Sequence, residues 1–243
     1  MSPIEKFNAE KKILIKKLEN PSLQELSQRW LEQSFSLQYQ YNFTWCGIPV
    51  IQYPQDLVAM QEIIWEVKPD LIIEAGVAHG GSVIFYSSML ELLGNGGKVV
   101  GIDIDIRKHN RERLEAHPLF KNILLIEGSS TEASVVEQVQ QLVKPEYTVL
   151  VALDSYHTHA HVLKELEIYS PLVTKESYVV VFDTIVEQLS DENFPHRPWK
   201  KGNNPHSAVQ EFLTKNSRFK IDEEIHTKLL ITSNFNGYLK AIE

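Results

Sequence analysis

Apolar and polar positions form two kinds of segment along this chain, short unbroken apolar runs and longer stretches with helical spacing. From Pro54 onward the two kinds follow one another regularly. The apolar runs are typical of buried parallel strands, and the stretches between them are typical of helices. This alternation predicts a mostly parallel α/β sheet with helices on both faces. The predicted strands are 71–74, 98–103, 122–127, 148–154, 177–183 and 219–222, with 228–232 and 237–242 as a closing hairpin.

The N-terminal part, residues 1–45, has a different pattern from the remainder, 46–243. Its first stretch, 5–18, is rich in Lys and Glu with apolar residues at helical spacing, and 23–37 forms a second helical stretch after Pro21 and Ser22. We therefore predict an N-terminal helical extension on one α/β domain. The sequence leaves three roles open for such an extension. These are to cover a ligand site, to mediate self-association, or to pack on the core.

Composition and charge narrow the class of protein. The chain has 243 residues, of which 43% are hydrophobic and 23% charged, as in an ordinary globular domain. Its formal charge of −8 argues against general nucleic-acid binding, which needs a basic face. It contains no apolar stretch long enough for a membrane span and begins without the pattern of a secretory signal. The lone Cys46 excludes an internal disulfide, is expected to be buried, and fits a cytoplasmic protein.

A glycine-rich turn follows the first predicted strand. It contains Glu74, Gly76, Gly80, Gly81 and Ser82 and leads into a helix. Glycines allow a tight turn and the close approach of a ligand, and the helix N-terminus offers free N–H groups to a negative group. The spacing differs from the Gly-x-Gly-x-x-Gly of dinucleotide sites. A purely structural turn remains the alternative.

Polar residues also follow the next two strands. Asp103 ends the second strand, where an acid can bind ribose hydroxyls, and Asp105 is a second candidate. Gly128, Ser129 and Ser130 follow the third strand and are placed to edge a purine ring. An acid before the glycines and another after the second strand suit a nucleoside without phosphates. S-adenosylmethionine is such a ligand, so all these residues are candidates to bind it.

Two aspartates close the fourth and fifth strands. Asp154 and Asp183 would lie close together if these strands are neighbours. Because two carboxylates at short distance repel each other, we expect a cation between them. Carboxylate oxygens and the hydroxyl of Thr184 are ligands that suit Mg²⁺. Carboxylate, imidazole and water also fit the facial triad of an iron oxygenase, which leaves that alternative open.

Three alternating histidines follow Asp154. His157 is close enough to reach the same cavity and accept a proton from a substrate hydroxyl, whereas His159 and His161 are expected to be polar helix residues. A long segment, 187–206, is rich in Pro, Asn and basic residues. It covers a polar acceptor as a lid, or its Asn203 and Asn204 simply start the next helix.

Taken together, these motifs resemble the cephalosporin hydroxylase family, which is also called the rhamnosyl O-methyltransferase family. The similarity runs from about residue 45 to the C-terminus. The residues that carry it are Glu74-x-Gly76-x-x-x-Gly80-Gly81-Ser82, Gly101-Ile-Asp103-Ile-Asp105, Ile126-Glu-Gly-Ser-Ser130, Leu153-Asp-Ser-x-His-Thr-His159, Val181-Phe-Asp-Thr184 and Gly202-Asn-Asn-Pro205.

The resemblance implies a class I S-adenosylmethionine-dependent methyltransferase. It implies a Rossmann-like, seven-stranded sheet and a divalent metal beside the methyl donor. More distantly, Asp154 and Asp183 resemble the metal positions of catechol-type O-methyltransferases. That pattern has Asn where this chain has Thr184, and a lysine base where it has His157.

The sequence therefore predicts an O-methyltransferase that uses S-adenosylmethionine and Mg²⁺ or another divalent cation. Asp154 and His157 are the predicted catalytic residues, and Asp154 also contacts the donor. The expected partner is a small hydroxylated acceptor, a sugar or natural product, and the N-terminal helices favour a homo-oligomer. A metal-dependent oxygenase and a non-catalytic nucleoside-binding protein are the alternatives.

Overall fold

The structure, a computed structural model, describes residues 2–243 and contains one seven-stranded sheet with helices on both faces. The helices are α1 (Pro3–Lys17), α2 (Pro21–Ser36), α3 (Pro54–Val67), α4 (Gly81–Leu93), α5 (Lys108–Glu115), α6 (Ala133–Leu142), α7 (His159–Tyr169), α8 (Pro205–Lys215) and α9 (Glu223–Leu229). The strands are β1 (Phe43–Trp45), β2 (Ile48–Val50), β3 (Leu71–Ala75), β4 (Lys98–Asp103), β5 (Ile123–Glu127), β6 (Val149–Leu153), β7 (Tyr178–Val181), β8 (Phe219–Ile221) and β9 (Tyr238–Ala241).

The order of strands in the sheet is β5-β4-β3-β6-β7-β9-β8. The first five pair in parallel, whereas β9 lies antiparallel between β7 and β8. Because the chain runs outward from β3 to β5 and then returns to β6, the sheet has its switch point between β3 and β6. Open α/β sheets bind their ligands at such a point. The predicted seven-stranded, mostly parallel sheet is confirmed.

The two faces of the sheet carry separate apolar layers, because every residue of β3, β6 and β7 is buried. One layer contains Ile63, Ile72 and Phe85 and lies under α3 and α4. The other contains Ile73, Leu166 and Val209 and lies under α7 and α8. A strand that is buried on both faces has a continuous apolar run in the sequence, so these runs predicted the positions of the strands.

The N-terminal residues form the two predicted helices, and α2 packs beside the loop after β7. Leu31 is buried with Ile185, Leu189, Phe194 and Trp199. A short antiparallel hairpin of β1 and β2, with Cys46 at its turn, leads into the sheet domain. Sequence reasoning missed this hairpin, and its expectation of a buried cysteine is wrong because Cys46 is exposed. The division of the chain at residue 45 stays a prediction.

The C-terminal hairpin differs from the prediction. Residues 223–229 form α9, whose first turn is capped by the Asp222 carboxylate through the amides of Glu224 and Ile225. The partner of β9 is therefore β8, not 228–232. The helix cap and the acidic first turn outweigh the apolar character of 228–232, and β9 already has a neighbour on each side.

Candidate active site

A cavity of about 1020 Å³ opens at the carboxyl ends of β3, β4 and β6. Gly76, Gly81, Ser82, Asp103, Gly128, Ser129, Ser130, Asp154, His157 and Asp183 line it. Glu74, Gly80, Asp105 and Thr184 do not belong to its lining. The topology thus brings most of the residues proposed from the sequence to one place, although the roles of all of them stay predictions.

Gly76 lies where the glycine-rich turn crosses the next strand. It follows Ala75, whose partner in β6 is Leu153, and its φ is +101°. A Cβ at this position would lie 1.9 Å from the carbonyl oxygen of Asp154. The turn is therefore in backbone contact with the residue that closes β6, and only glycine fits there.

The carboxylate of Asp103 braces the glycine-rich turn from the neighbouring strand. Its Oδ2 accepts hydrogen bonds from the amides of Val77 (2.8 Å) and Ala78 (2.9 Å), and its Oδ1 accepts one from the amide of Asp105 (3.1 Å). The side chain lines the cavity while it fixes the turn. Asp105 is exposed and lies outside the lining.

Glu74 is enclosed beneath the cavity. The residue is fully buried, and its Oε2 accepts a hydrogen bond from the Ser82 hydroxyl at 2.9 Å, while its Oε1 has no hydrogen-bond partner among the described residues. Burial raises the pKa of this carboxyl to about 8. A buried acid that is neutral near pH 7 supports the turn through Ser82. Its predicted contact with the donor stays a prediction.

The turn after β5 is held by a second buried acid that sequence reasoning did not single out. Glu165, on the inner face of α7, accepts hydrogen bonds from the hydroxyls of Ser130 and Ser155 (2.6 Å for Ser155). His161 contacts the same oxygen at 3.2 Å, so it has a structural partner and also lines the cavity. The sequence did contain a signal for Glu165, because this acidic residue occupies a position of the helix where an apolar side chain is expected.

Asp154, His157 and Asp183 form the reactive side of the cavity. One ligand atom from each residue lies within 4.8 Å of the others, and Nε2 of His157 is 3.2 Å from Oδ2 of Asp183. The neighbouring strands β6 and β7 bring the aspartates together, because Leu153 pairs with Val181. Burial and the charge of Asp183 raise the pKa of Asp154 well above its usual range. A cation would relieve this repulsion.

Thr184 has a different environment from the two aspartates. It is fully buried, and its hydroxyl donates to the carbonyl oxygen of Ser233 at 3.5 Å. The imidazole of His157 is a third group beside the carboxylates. The predicted role of Thr184 as a metal ligand stays a prediction.

Aromatic side chains line the cavity that contains His157. The Trp199 ring packs edge to face against His157 with centroids 4.9 Å apart, and the guanidinium of Arg197 lies 5.0 Å from the Trp199 ring. Tyr41, from the N-terminal part of the chain, also lines the cavity, and burial and Asp183 raise its pKa. The segment 187–206 and the N-terminal extension thus both contribute to the cavity wall.

The Asn-rich end of this segment and His159 have structural contacts. Asn204 caps α8 by accepting a hydrogen bond from the amide of Ser207, and Asn203 accepts one from the amide of His159. The His159 ring lies between Ser207 and Glu211, at 2.9 Å from each. The helix-start alternative is thus what the structure shows for Asn204.

The sequence of this chain is similar to sequences of known proteins. The profile of the rhamnosyl O-methyltransferase/CmcI family matches residues 37–242. This chain belongs to that family. It is 32% identical to a rhamnosyl O-methyltransferase of Mycobacterium tuberculosis over 199 residues, which cover 81% of this chain and 77% of the relative. A rhamnosyl O-methyltransferase of Mycobacterium leprae is 35% identical over 143 residues, 58% of this chain and 60% of the relative.

Solved structures share the fold. CmcI in a form described as Mg-SAM is 18% identical, with a TM-score of 0.58 over 84% of this chain and 78% of CmcI. An O-methyltransferase from Bacillus cereus in complex with SAH is 13% identical, with a TM-score of 0.52 over 80% of this chain and 81% of the other. Membership of this family confirms the O-methyltransferase prediction over the oxygenase alternative. Among residues 2–243, no helix has the length and apolar character of a membrane span.

Proposed function

We propose that this chain transfers a methyl group from S-adenosylmethionine to a hydroxyl of a small molecule, assisted by a divalent cation at Asp154 and Asp183. The observation that carries the proposal is the carboxylate pair, with His157, in the same cavity as the glycine-rich turn. The relatives named rhamnosyl O-methyltransferases favour a sugar hydroxyl or a related natural product as the acceptor.

The residues present fit a divalent cation. The carboxylates of Asp154 and Asp183 converge, and burial together with the charge of Asp183 raises the pKa of Asp154, so a bound cation would stabilise the ionised pair. Oxygen-rich sites of this kind suit Mg²⁺, which keeps several waters and accepts substrate oxygens. When bound, the cation lowers the pKa of a hydroxyl that it contacts and stabilises the developing negative charge.

The same cavity fits a nucleoside donor. Gly81 and Ser82 line it at the start of α4, where backbone N–H groups are free to bind a carboxylate. Asp103 closes β4 beside them, and Ser129 and Ser130 lie at the end of β5. These residues supply an edge for the nucleoside next to the reactive side of the cavity.

His157 is placed to hold the proton that the acceptor loses. Its Nε2 contacts Asp183, and the Trp199 ring packs edge to face against the imidazole. The acceptor oxygen forms a bond to the methyl carbon as the bond from that carbon to sulfur breaks. The proton passes to His157, and S-adenosylhomocysteine is the second product. Positioning of the two reactants would supply much of the rate.

Calorimetry tests this function. Wild-type protein should bind S-adenosylhomocysteine, and Mg²⁺ should bind to that complex. Asp154→Asn and Asp183→Asn should each abolish Mg²⁺ binding, whereas Glu112→Gln, at an exposed position on α5, should not. Failure of the wild type to bind the nucleoside with or without Mg²⁺ would end the proposal. Radiolabelled donor with a panel of hydroxylated metabolites would then identify the acceptor.

Self-association and location are further parts of the proposal. The first helix exposes Ile4, Phe7 and Leu14, and such apolar side chains favour a homo-oligomer. Light scattering of the purified protein measures this, and Phe7→Glu should reduce the mass if α1 forms the contact. The net charge of −8 supports a protein that does not bind nucleic acid, and the lone cysteine supports work in the cytoplasm.

A further inference from the structure

The backbone of Asp183 adopts a conformation that needs support from its surroundings. Its φ is +54°, in the left-handed region that non-glycine residues seldom adopt. The amide of Asp183 donates to Oδ1 of Asn234 at 3.3 Å, and the amide of Ile185 donates to the carbonyl oxygen of Ser233 at 3.0 Å. The loop before β9 therefore holds the turn that carries this carboxylate.

That loop is itself anchored on one buried acid in α3. Oδ2 of Asp56 accepts hydrogen bonds from the amide (2.9 Å) and hydroxyl (3.1 Å) of Ser233, and its Oδ1 accepts from the hydroxyls of Thr232 and Tyr238 (2.8 Å for Tyr238). Asp56 is fully buried, and burial raises its pKa. Four donors around one carboxylate set the position of the loop, because a buried acceptor left unpaired costs free energy.

Asn234 and Tyr238 complete the connection to Asp183. The side-chain amide of Asn234 donates to the Tyr238 hydroxyl at 3.2 Å, while its backbone amide donates to the Thr232 hydroxyl at 2.9 Å. Gly237 permits the close approach of the strands, since a Cβ there would lie 2.1 Å from the carbonyl oxygen of Val181. The polar residues of this network are all buried, and only Ser233 among them lines the cavity. The network consists of Asp56, Thr232, Ser233, Asn234 and Tyr238.

We propose that this anchor cluster, Asp56, Thr232, Ser233, Asn234 and Tyr238, positions the Asp183 carboxylate for cation binding. The inference rests on the proposed function, because it assigns the cluster to the metal site of the same cavity. None of the five residues other than Ser233 reaches the cavity, so the cluster acts through the backbone of residues 183–185. Residues that orient a metal ligand in this way influence metal affinity strongly.

The chain offers a matched pair of variants. Tyr238→Phe removes a hydroxyl that donates to Asp56 at 2.8 Å, and Tyr178→Phe removes one that donates to Asp222, also at 2.8 Å. Both tyrosines are buried and lie on the paired strands β7 and β9. Only Tyr238 belongs to the anchor cluster. Asn234→Ala removes the acceptor for the Asp183 amide and is the more severe variant.

The measurement is Mn²⁺ binding, followed by the electron paramagnetic resonance of free Mn²⁺ with S-adenosylhomocysteine present. Asn234→Ala should raise the Kd for Mn²⁺ by about tenfold, and Tyr238→Phe by about threefold. Tyr178→Phe should leave it within twofold of wild type. The Kd for S-adenosylhomocysteine without metal should stay unchanged in all three.

Two results would overturn the inference. One is a Tyr238→Phe protein that binds Mn²⁺ as tightly as wild type. The other is an equal loss of affinity in Tyr178→Phe, which would show a general effect of lost buried hydrogen bonds. If Asn234→Ala does not fold, the tyrosine pair still decides between these outcomes. Wild-type protein that binds no Mn²⁺ would instead refute the proposed metal site itself.

Discussion

The two halves of the cavity are built in different ways. The donor half joins consecutive elements of the chain: the glycine-rich turn leads from β3 into α4, and the Asp103 carboxylate of the next strand, β4, braces that turn. The reactive half brings together distant parts of the chain, with Leu31 of α2, Asp56 of α3, Trp199 and Asn234 all packed around the β7 end. A half made of local turns is visible in sequence motifs, whereas a half made of long-range contacts is visible only in the fold.

The largest expected effect concerns proton transfer in the reactive half. His157→Gln removes the group proposed to take the acceptor proton, and kcat should fall by roughly 10²- to 10⁴-fold. The Kd for S-adenosylhomocysteine should change little, because the donor half is built separately. Steady-state kinetics and calorimetry measure the two quantities. His159→Gln, whose ring lies between α7 and α8 away from the carboxylate pair, is the control. A kcat near wild type would rule out a proton-accepting role for His157.

The contact between the two halves at Gly76 predicts a loss of stability. Gly76→Ala places a methyl group against the Asp154 carbonyl oxygen at a positive φ, and we expect about 3 kcal/mol of destabilisation or more. Gly96→Ala also has a positive φ of +76° but meets nothing within 4 Å, so it measures the backbone strain without the steric contact. Urea denaturation measures both. Equal losses would mean that backbone strain, rather than the contact between the halves, requires the glycine.

Packing of the N-terminal extension should influence the reactive half alone. Leu31→Ala leaves a cavity beside Ile185 and Trp199, and roughly 2 to 3 kcal/mol of stability should be lost. The KM for the acceptor should rise while the Kd for S-adenosylhomocysteine stays constant. Leu26→Ala, at an exposed position of the same helix, is the control. A matching change in nucleoside affinity would show that the halves are not independent.

The smallest expected effect is a pH dependence from the donor half. The pKa of Glu74 is about 8 in the folded chain and near 4.5 when exposed, so the folded state holds more protons between these values. Stability from this group is therefore complete below pH 4.5 and is lost as pH rises through 8. Between pH 6 and pH 8 the loss should be about 2 kcal/mol.

Urea denaturation of wild type and Glu74→Gln across this range tests the pH effect. Glu74→Gln should remove that part of the slope, whereas Glu112→Gln on the surface of α5 should keep it. A wild-type slope that survives in Glu74→Gln would assign the titration to another group.

The N-terminal hairpin and the C-terminal helix show where sequence patterns fail. The β1–β2 hairpin is short and only partly apolar, so it carries little periodic signal. Residues 228–232 contain an apolar run typical of a strand, yet the Asp222 cap and the pairing of β9 with β7 and β8 leave no place for one there. The strand propensity of a segment has little influence on its structure when the neighbouring positions in the sheet are already occupied by other strands.

The amino-acid sequence alone determined the sheet, the order of its parallel strands along the chain and the two aspartates that close β6 and β7. Buried parallel strands and glycine turns leave such marks because each residue's environment repeats along a short segment. Tertiary structure decided that His157 stands beside the carboxylates, that Glu74 faces inward, and that Asp56 and Asn234 hold the Asp183 turn. The contacts of Asp56 and Asn234 join residues far apart in the chain, and only the folding of α3 and the loop before β9 onto the end of β7 brings them together.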